Sequence, residues 1–250
     1  MMKITVSVIV AVRNGAPTLQ RCIDSFAGQT YPPKELIIID GGSTDGTVEI
    51  LKYNSEKIRY WVSEPDRGIY SAWNKALKVA QGDWVYFLGA DDYFMDEHVL
   101  AQVALHLKNG SSSARVVYGR VDLVRKDGSV IATFGSPWDR KRFFQLMTLP
   151  HQGVFHHRSL FQEHGGFNEE FRIAGDYDLL RELRYGVAEF VPRLVAALQH
   201  SGMSSNPVSK VKTVGVIMRA RRINASKSTV GLRLARERAM DLCPVASRGG

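Results

Sequence analysis

Cysteine is scarce in this 250-residue chain: Cys22 and Cys243 are the only two. One sits in an amphipathic segment and the other in a tail. No CxxC or Cys/His spacing surrounds either, which argues against a disulfide framework and against a zinc site. Long apolar runs are missing too. A helix that spans a bilayer needs about 18 or more consecutive apolar residues, and the sequence has no such stretch. Residues 4–12 form an apolar run after Lys3 that imitates the start of a signal peptide. Arg13-Asn14-Gly15 stands where a small-residue cleavage site should be, so a buried first strand is the better reading. The protein is expected to be soluble or peripheral to a membrane.

Several familiar signatures are absent as well. No GxGxxG follows the first apolar run, which counts against a dinucleotide-binding oxidoreductase. No Gly-x-Ser-x-Gly elbow marks a hydrolase. The turn Gly41-Gly42-Ser43-Thr44-Asp45-Gly46-Thr47 has glycines at Walker A spacing without the lysine, so phosphate cradling of that kind is not expected. A sugar-phosphate nucleotidyltransferase should carry a glycine-rich loop with Arg and Lys directly after its first strand, and Arg13-Asn14-Gly15-Ala16-Pro17 does not supply one.

A surplus of either charge is missing from most of the chain. Residues 1–200 hold 23 Lys and Arg against 23 Asp and Glu, whereas residues 201–250 hold 10 against 2, so the formal net charge of +8 lies wholly in the tail. A nonenzymatic nucleic-acid-binding protein that used this tail as a basic arm is the alternative from another class. The neutral first 200 residues weigh against it.

What is present is an alternation of buried apolar runs with helix-periodic segments, the pattern of βαβ units and a largely parallel sheet. Val6 to Val12 is the first run. Pro17 opens a helix whose Leu19, Cys22, Ile23 and Phe26 share one face. Leu36 to Ile39 is a second strand that ends at Asp40, and Ser43 to Asp45 offer cap chemistry for a helix carrying Val48 and Leu51. Ile58 to Val62 is a third strand. A helix follows with Ile69, Ala72, Trp73, Ala76, Leu77 and Ala80 on one face, closed by Gly82. Trp84 to Leu88 then runs straight into Gly89-Ala90-Asp91-Asp92. Beyond residue 110 the spacing predicts a hairpin of 116–124 and 130–134 about Lys126-Asp127-Gly128. Helices are predicted near 139–147, 158–164 and 176–185, and the tail reads as two basic amphipathic segments around 207–223 and 227–241.

In open α/β sheets ligands bind beyond the carboxyl ends of the strands, so Ala11, Asp40 and Asp91-Asp92 are expected to share one crevice. Two adjacent carboxylates at the end of a buried strand repel each other and are poorly solvated, and a hard divalent cation such as Mn²⁺ or Mg²⁺ would relieve both strains. Alternatively the pair caps the helix expected near 95–107. Asp40 is either an acceptor for a base or ribose or an ordinary turn aspartate. Asp66 and Arg67 precede the helix of residues 69–80, a favourable place for phosphate or a sugar hydroxyl, although Asp66 could simply cap it. Asp176, at a helix start, is a cap or a general base, and His200 is a metal ligand or a surface histidine. His151, His156 and His157 lie where an acceptor could enter or serve the core.

Taken in order over residues 4–205, these segments resemble the family 2 glycosyltransferases. Residues 7–14 resemble the family's opening strand, residues 39–47 its base-binding turn, residues 63–77 its donor-loop helix, and residues 82–92 its strand ending in an Asp-x-Asp-type metal motif. The resemblance implies a GT-A α/β fold, with a Rossmann-like nucleotide-binding half and a mixed central sheet, over residues 1–205. The basic helical tail would occupy 206–250. It further implies metal-dependent transfer of a sugar, most simply from a UDP-linked donor, to an acceptor hydroxyl in cell-surface polysaccharide or glycolipid synthesis, inverting the anomeric centre. Carried over, Asp40 would bond the base with Ala11 lining the pocket, Asp91 would face ribose and sugar, Asp92 would hold the metal with His200, and Asp176 would be the catalytic base. The sequence departs from the family at Gly41, where a second aspartate is usual, and at Gly175, where a glutamate usually precedes the base. The second departure leaves the choice between Asp176 and Asp178 open. The expected partners are the nucleotide-sugar and a saccharide or polyprenyl-linked acceptor; the arginine-rich tail either meets an anionic leaflet at the cytoplasmic face or is simply a solvated basic segment with no partner.

Overall fold

The structure is a computed structural model that describes residues 4–109, 114–145, 147–172, 174–181 and 188–200. The basic tail and the 205/206 boundary lie outside the described residues. Four strands form the first half of a mixed sheet: β1 (Val6–Val12), β2 (Lys34–Asp40), β3 (Tyr60–Ser63) and β4 (Trp84–Gly89). They are parallel, in the order β3-β2-β1-β4. Parallel neighbours need crossover connections, and helices supply them: α1 (Ala16–Ala27), α2 (Thr47–Tyr53) and α3 (Ile69–Val79).

Beyond β4 the sheet becomes mixed. Its second half comprises β5 (Tyr93–Phe94), β6 (Val116–Val124), β7 (Val130–Phe134), β8 (Val154–His157) and β9 (Ala188–Gln199). β4 pairs with β8, β8 with β6, β6 in parallel with β9, and β9 with β5, while β7 folds back on β6 as the expected hairpin. Gly128, with φ +84°, makes its turn. Among the described residues there follow four further α-helices, α4 (Val99–Asn109), α5 (Arg140–Gln145), α6 (Ser159–His164) and α7 (Gly175–Arg181), and two 3-10 turns, Ser55–Lys57 and His151–Gly153.

Strand alternation divides the core in two. Val8, Val10, Ile38, Tyr86 and Leu88 face α1 and α4, where they meet Leu19, Ile23, Phe26 and Val103. Ile9, Ile37, Ile39, Val85 and Phe87 face the opposite layer of α3, α6 and α7, with Trp73, Ala76, Leu160 and Tyr177. The α1 stripe is buried as its spacing predicts. Each such side chain contributes roughly 1.5–3 kcal/mol when fully buried.

Two local expectations need correction. Gly82 does not close α3, which ends at Val79 with Ala80 already extended. A Cβ on Gly82 would lie 2.4 Å from the Ser7 backbone nitrogen, so glycine is required there for close approach to β1. Nor do Asp91 and Asp92 cap the following helix: β5 intervenes, and it is Asp96 whose Oδ1 accepts the His98 N–H, 2.8 Å away, just before α4.

Candidate active site

The strand register brings the ends of β2, β1 and β4 to one edge, with Asp40 opposite Val12 and Ala11 opposite Gly89. Asp40 is fully buried. Its carboxylate accepts the Ser43 N–H at 3.0 Å, the Ser43 hydroxyl, and the Ser63 hydroxyl at 2.6 Å. Asp40 therefore ties the glycine-rich turn to the end of β3, and its oxygens are taken up within the protein.

Asp66 lies directly over that turn. Its Oδ1 accepts the Gly68 N–H at 2.9 Å. Oδ2 would stand 2.7 Å from a Cβ on Gly41, so the carboxylate of Asp66 fills the space that a side chain at position 41 would need. Arg67 is 85% exposed and pairs with Glu169 at 3.2 Å. This pair, just ahead of α3, can open at little cost because exposed ion pairs are weak.

The two carboxylates after β4 differ in setting. Asp92 is only 4% exposed, and its Oδ1 accepts the Gln199 N–H at 3.0 Å. Asp91 is half-buried. A Cβ on Gly89 would sit 2.4 Å from Asp92 Oδ2 and 3.1 Å from Asp91 Oδ1, so both acids bend back over this glycine. Burial, reinforced by the charge of Asp91, pushes the Asp92 carboxyl up to about 7, and burial raises Asp91 as well. Arg21 offers partial relief: its guanidinium donates to the Asp91 carbonyl and to Gln199 Oε1, each at 2.9 Å, and lies 4.3 Å from the Tyr93 ring centroid. Beneath the loop, Cys22 is buried with its Sγ 3.5 Å from the Gly89 carbonyl, and burial raises its thiol.

This donor set fits a hard divalent cation. Two crowded carboxylates, one destabilised as an anion, gain from a positive charge that a single exposed guanidinium does not supply. Among the described residues no group of three or more His, Cys, Asp and Glu could hold a metal ion. One protein carboxylate, here that of Asp92, with other positions left to phosphate and water is a usual arrangement for Mg²⁺ beside a nucleotide. His200 follows Gln199 directly, and its N–H bonds the Val124 carbonyl at 2.9 Å. The bond from Gln199 to Asp92 thus brings the two expected metal residues to within one residue of contact along the chain.

Asp176 opens α7 and is half-buried. Its Oδ1 accepts a bond from the Tyr70 hydroxyl at 3.3 Å, in the first turn of α3. Since α3 starts where the chain leaves β3, Asp176 stands on the carboxyl side of the sheet, as Asp40, Asp91 and Asp92 do. His151 is buried within electrostatic range of Asp176, and burial keeps its imidazole neutral. Its ring stacks on Trp73 at 5.0 Å. His156 is fully enclosed between Phe87 and Phe161 and serves the core, whereas His157 is half-buried and lies edge-on to Trp84.

Sequence reasoning missed the residues that hold the carboxylates, Ser63, Gln199 and Tyr70, and Arg21, which holds the Asp91 carbonyl. Only Ser63 left a usable signal, since it ends the strand that pairs with the one ending in Asp40.

The family described as "Glycosyl transferase family 2" matches residues 7–164, and the chain belongs to it. A PGL/p-HBAD biosynthesis glycosyltransferase of Mycobacterium tuberculosis is 34% identical over 175 residues, covering 69% of this chain and 66% of that protein, just short of two thirds of its length. Among solved structures, S. aureus TarS 1–349 in complex with UDP-GlcNAc superposes with a TM-score of 0.68 at 20% identity, covering 86% of this chain and 64% of that one. A mannosyltransferase from Pyrobaculum calidifontis in complex with GDP-Man and Mn²⁺ gives 0.59 at 23% identity, covering 79% and 57%. These likenesses show the fold, which is GT-A. Among the described residues no helix is long and apolar enough to cross a membrane.

Proposed function

We propose that the chain transfers a sugar from a nucleoside diphosphate sugar, most simply UDP-linked, to an acceptor hydroxyl, inverting the anomeric centre. The acceptor is a saccharide or polyprenyl-linked saccharide used in surface polysaccharide or glycolipid synthesis at the cytoplasmic face of a membrane. One observation carries this reading: the Asp91–Asp92 pair, with Asp92 raised to about 7 by burial, follows β4 at the same sheet edge as the glycine-rich turn that Asp40 holds after β2.

Asp40 acts through the turn it holds, where Ala11 lines the base pocket. Asp66 offers its carboxylate above Gly41 to the base or ribose, and Arg67 and the α3 N-terminus face the diphosphate. Asp91, the more open of the two adjacent acids, faces ribose and sugar. Asp92 would hold Mn²⁺ or Mg²⁺ with His200 beside it, and the cation would supply neutralising charge to the departing diphosphate. Asp176 removes the proton from the acceptor hydroxyl as that oxygen attacks the anomeric carbon, so a single displacement inverts the centre. The arginines of the tail bind an anionic leaflet.

A thermal-shift panel of UDP, GDP and dTDP and their sugars, with and without Mn²⁺, tests the donor site. Binding to the native state raises the midpoint, so one nucleotide series should stand out and should need the cation. Asp176→Asn is expected to lower nucleotide release by about 10²-fold or more while UDP binding stays unchanged. Retained turnover in that variant would remove Asp176 from the mechanism.

A further inference from the structure

The carboxylate assigned as base is held by a residue that belongs to none of the acidic motifs, Tyr70. It is 5% exposed. Its ring stacks on Phe167 at 5.5 Å and meets Trp73 edge-on at 5.4 Å. Anchored by these contacts, its hydroxyl accepts the Gly175 N–H at 2.8 Å and donates to Asp176 Oδ1 at 3.3 Å. One phenolic oxygen thereby fixes both the peptide before Asp176 and the Asp176 side chain.

Two backbone features show that the chain is shaped around this contact. A Cβ on Gly175 would lie 2.9 Å from both Cε2 and Cζ of Tyr70, so Tyr70 occupies the volume that any side chain at 175 would claim. Ala174 is a buried non-glycine residue at φ +65°. That conformation is strained for a residue with a side chain and persists only where the surroundings impose it. A half-buried aspartate in the first turn of a helix would otherwise sample several rotamers. The 3.3 Å bond is long for O–H···O, as catalytic contacts often are before substrate is bound. Burial and the negative charge of Asp176 raise the Tyr70 hydroxyl, which keeps it protonated as a donor. His151 lies within electrostatic range of Asp176, and its burial lowers the imidazole and so favours the neutral ring.

We propose that Tyr70 is the positioning residue for Asp176, with its hydroxyl aiming the carboxylate at the acceptor while its ring takes the place of a side chain at Gly175. The inference rests on the reading of Asp176 as the base. Misplacement of a catalytic group by about 1 Å can cost up to roughly 100-fold in rate, so the hydroxyl should influence kcat and leave donor binding alone.

Tyr70→Phe keeps the ring and its packing and removes the bond. The assay is nucleotide release from whichever of UDP-N-acetylglucosamine, UDP-glucose, UDP-galactose and GDP-mannose gives the largest thermal shift, with water or alkyl glycosides as acceptor. The expected result is a kcat lower by about 10- to 100-fold, with donor KM and UDP affinity within about twofold and a melting midpoint only a few degrees lower, because the buried Gly175 N–H loses its acceptor. A crystal structure of the variant should show the Asp176 carboxylate in another rotamer, a readout that needs no turnover. Gly175→Ala, which crowds the ring from the other side, should reproduce the kcat-selective loss and serves if Tyr70→Phe does not fold. An unmoved carboxylate, an unchanged kcat, or a parallel fall of kcat, donor affinity and melting midpoint would each overturn the inference. If Asp176→Asn is inactive in the same assay, such a result condemns the role of Tyr70 alone. If Asp176→Asn is active, the assignment of the base has failed instead.

Discussion

At the scale of single residues, Asp92 is the carboxyl that burial raises furthest among the described residues. Its carboxyl stands near 7 in the folded protein against an ordinary value of 3.8. A folded pKa above the unfolded one means that the native state holds the proton more tightly. The stability linked to this group is therefore fully present below about pH 4 and lost as pH rises through 7. With cations chelated, Asp92→Asn should melt a few degrees higher than the parent protein at about pH 8 and near it at about pH 5, since an amide oxygen can still accept the Gln199 N–H. Mn²⁺ should raise the midpoint of the parent and leave the variant nearly unmoved. Equal midpoints for the two proteins in alkaline buffer with EDTA would show that burial does not load this carboxylate.

At the scale of elements, both departures from the family pattern have one structural cause. The residues opposite Gly41 and Gly175 are Asp66 and Tyr70, four positions apart in the segment that leads into α3. Each fills the space of the absent side chain, so that segment and the two glycines form a matched set. Gly82 is a different case, because its neighbours are backbone atoms that cannot yield: a Cβ added there would meet Ser7 N at 2.4 Å and Trp84 O at 2.9 Å. Gly82→Ala should therefore destabilise the protein by about 1–3 kcal/mol, read as a lower urea midpoint with an unchanged slope. An unaltered midpoint would mean that the chain at Gly82 does not press this closely on β1.

At the scale of the whole molecule, legibility follows topology. The parallel half could be read because strands buried on both faces appear as continuous apolar runs, and α1 and α3 carry clear stripes. The mixed half hid β5, β8 and β9. β5 has two residues, and β8 is four residues ending in two histidines. β9 contains Pro192, and its pairing with β6 shifts register on either side of Arg120, which erases the alternation a strand is recognised by. The site divides in the same way. Aspartates at strand and helix ends were visible as candidates, whereas the bonds that hold them join residues 106 and 107 positions apart and leave no local pattern. The Gln199–Asp92 bond also crosses from one half of the sheet to the other. Loading the acidic pair with Mn²⁺ and nucleotide should slow amide exchange at the end of β9 as well as around β4, measurable by mass spectrometry. Protection confined to β4 would deny that coupling.

The burial of Cys22 beneath the Gly89 carbonyl gives the molecule a native reporter. Its sulfur can meet a thiol reagent only when α1 lifts from the floor under the acidic loop. With Cys243 replaced by serine, the alkylation rate of Cys22 should therefore time that opening directly, and donor with cation should lengthen it.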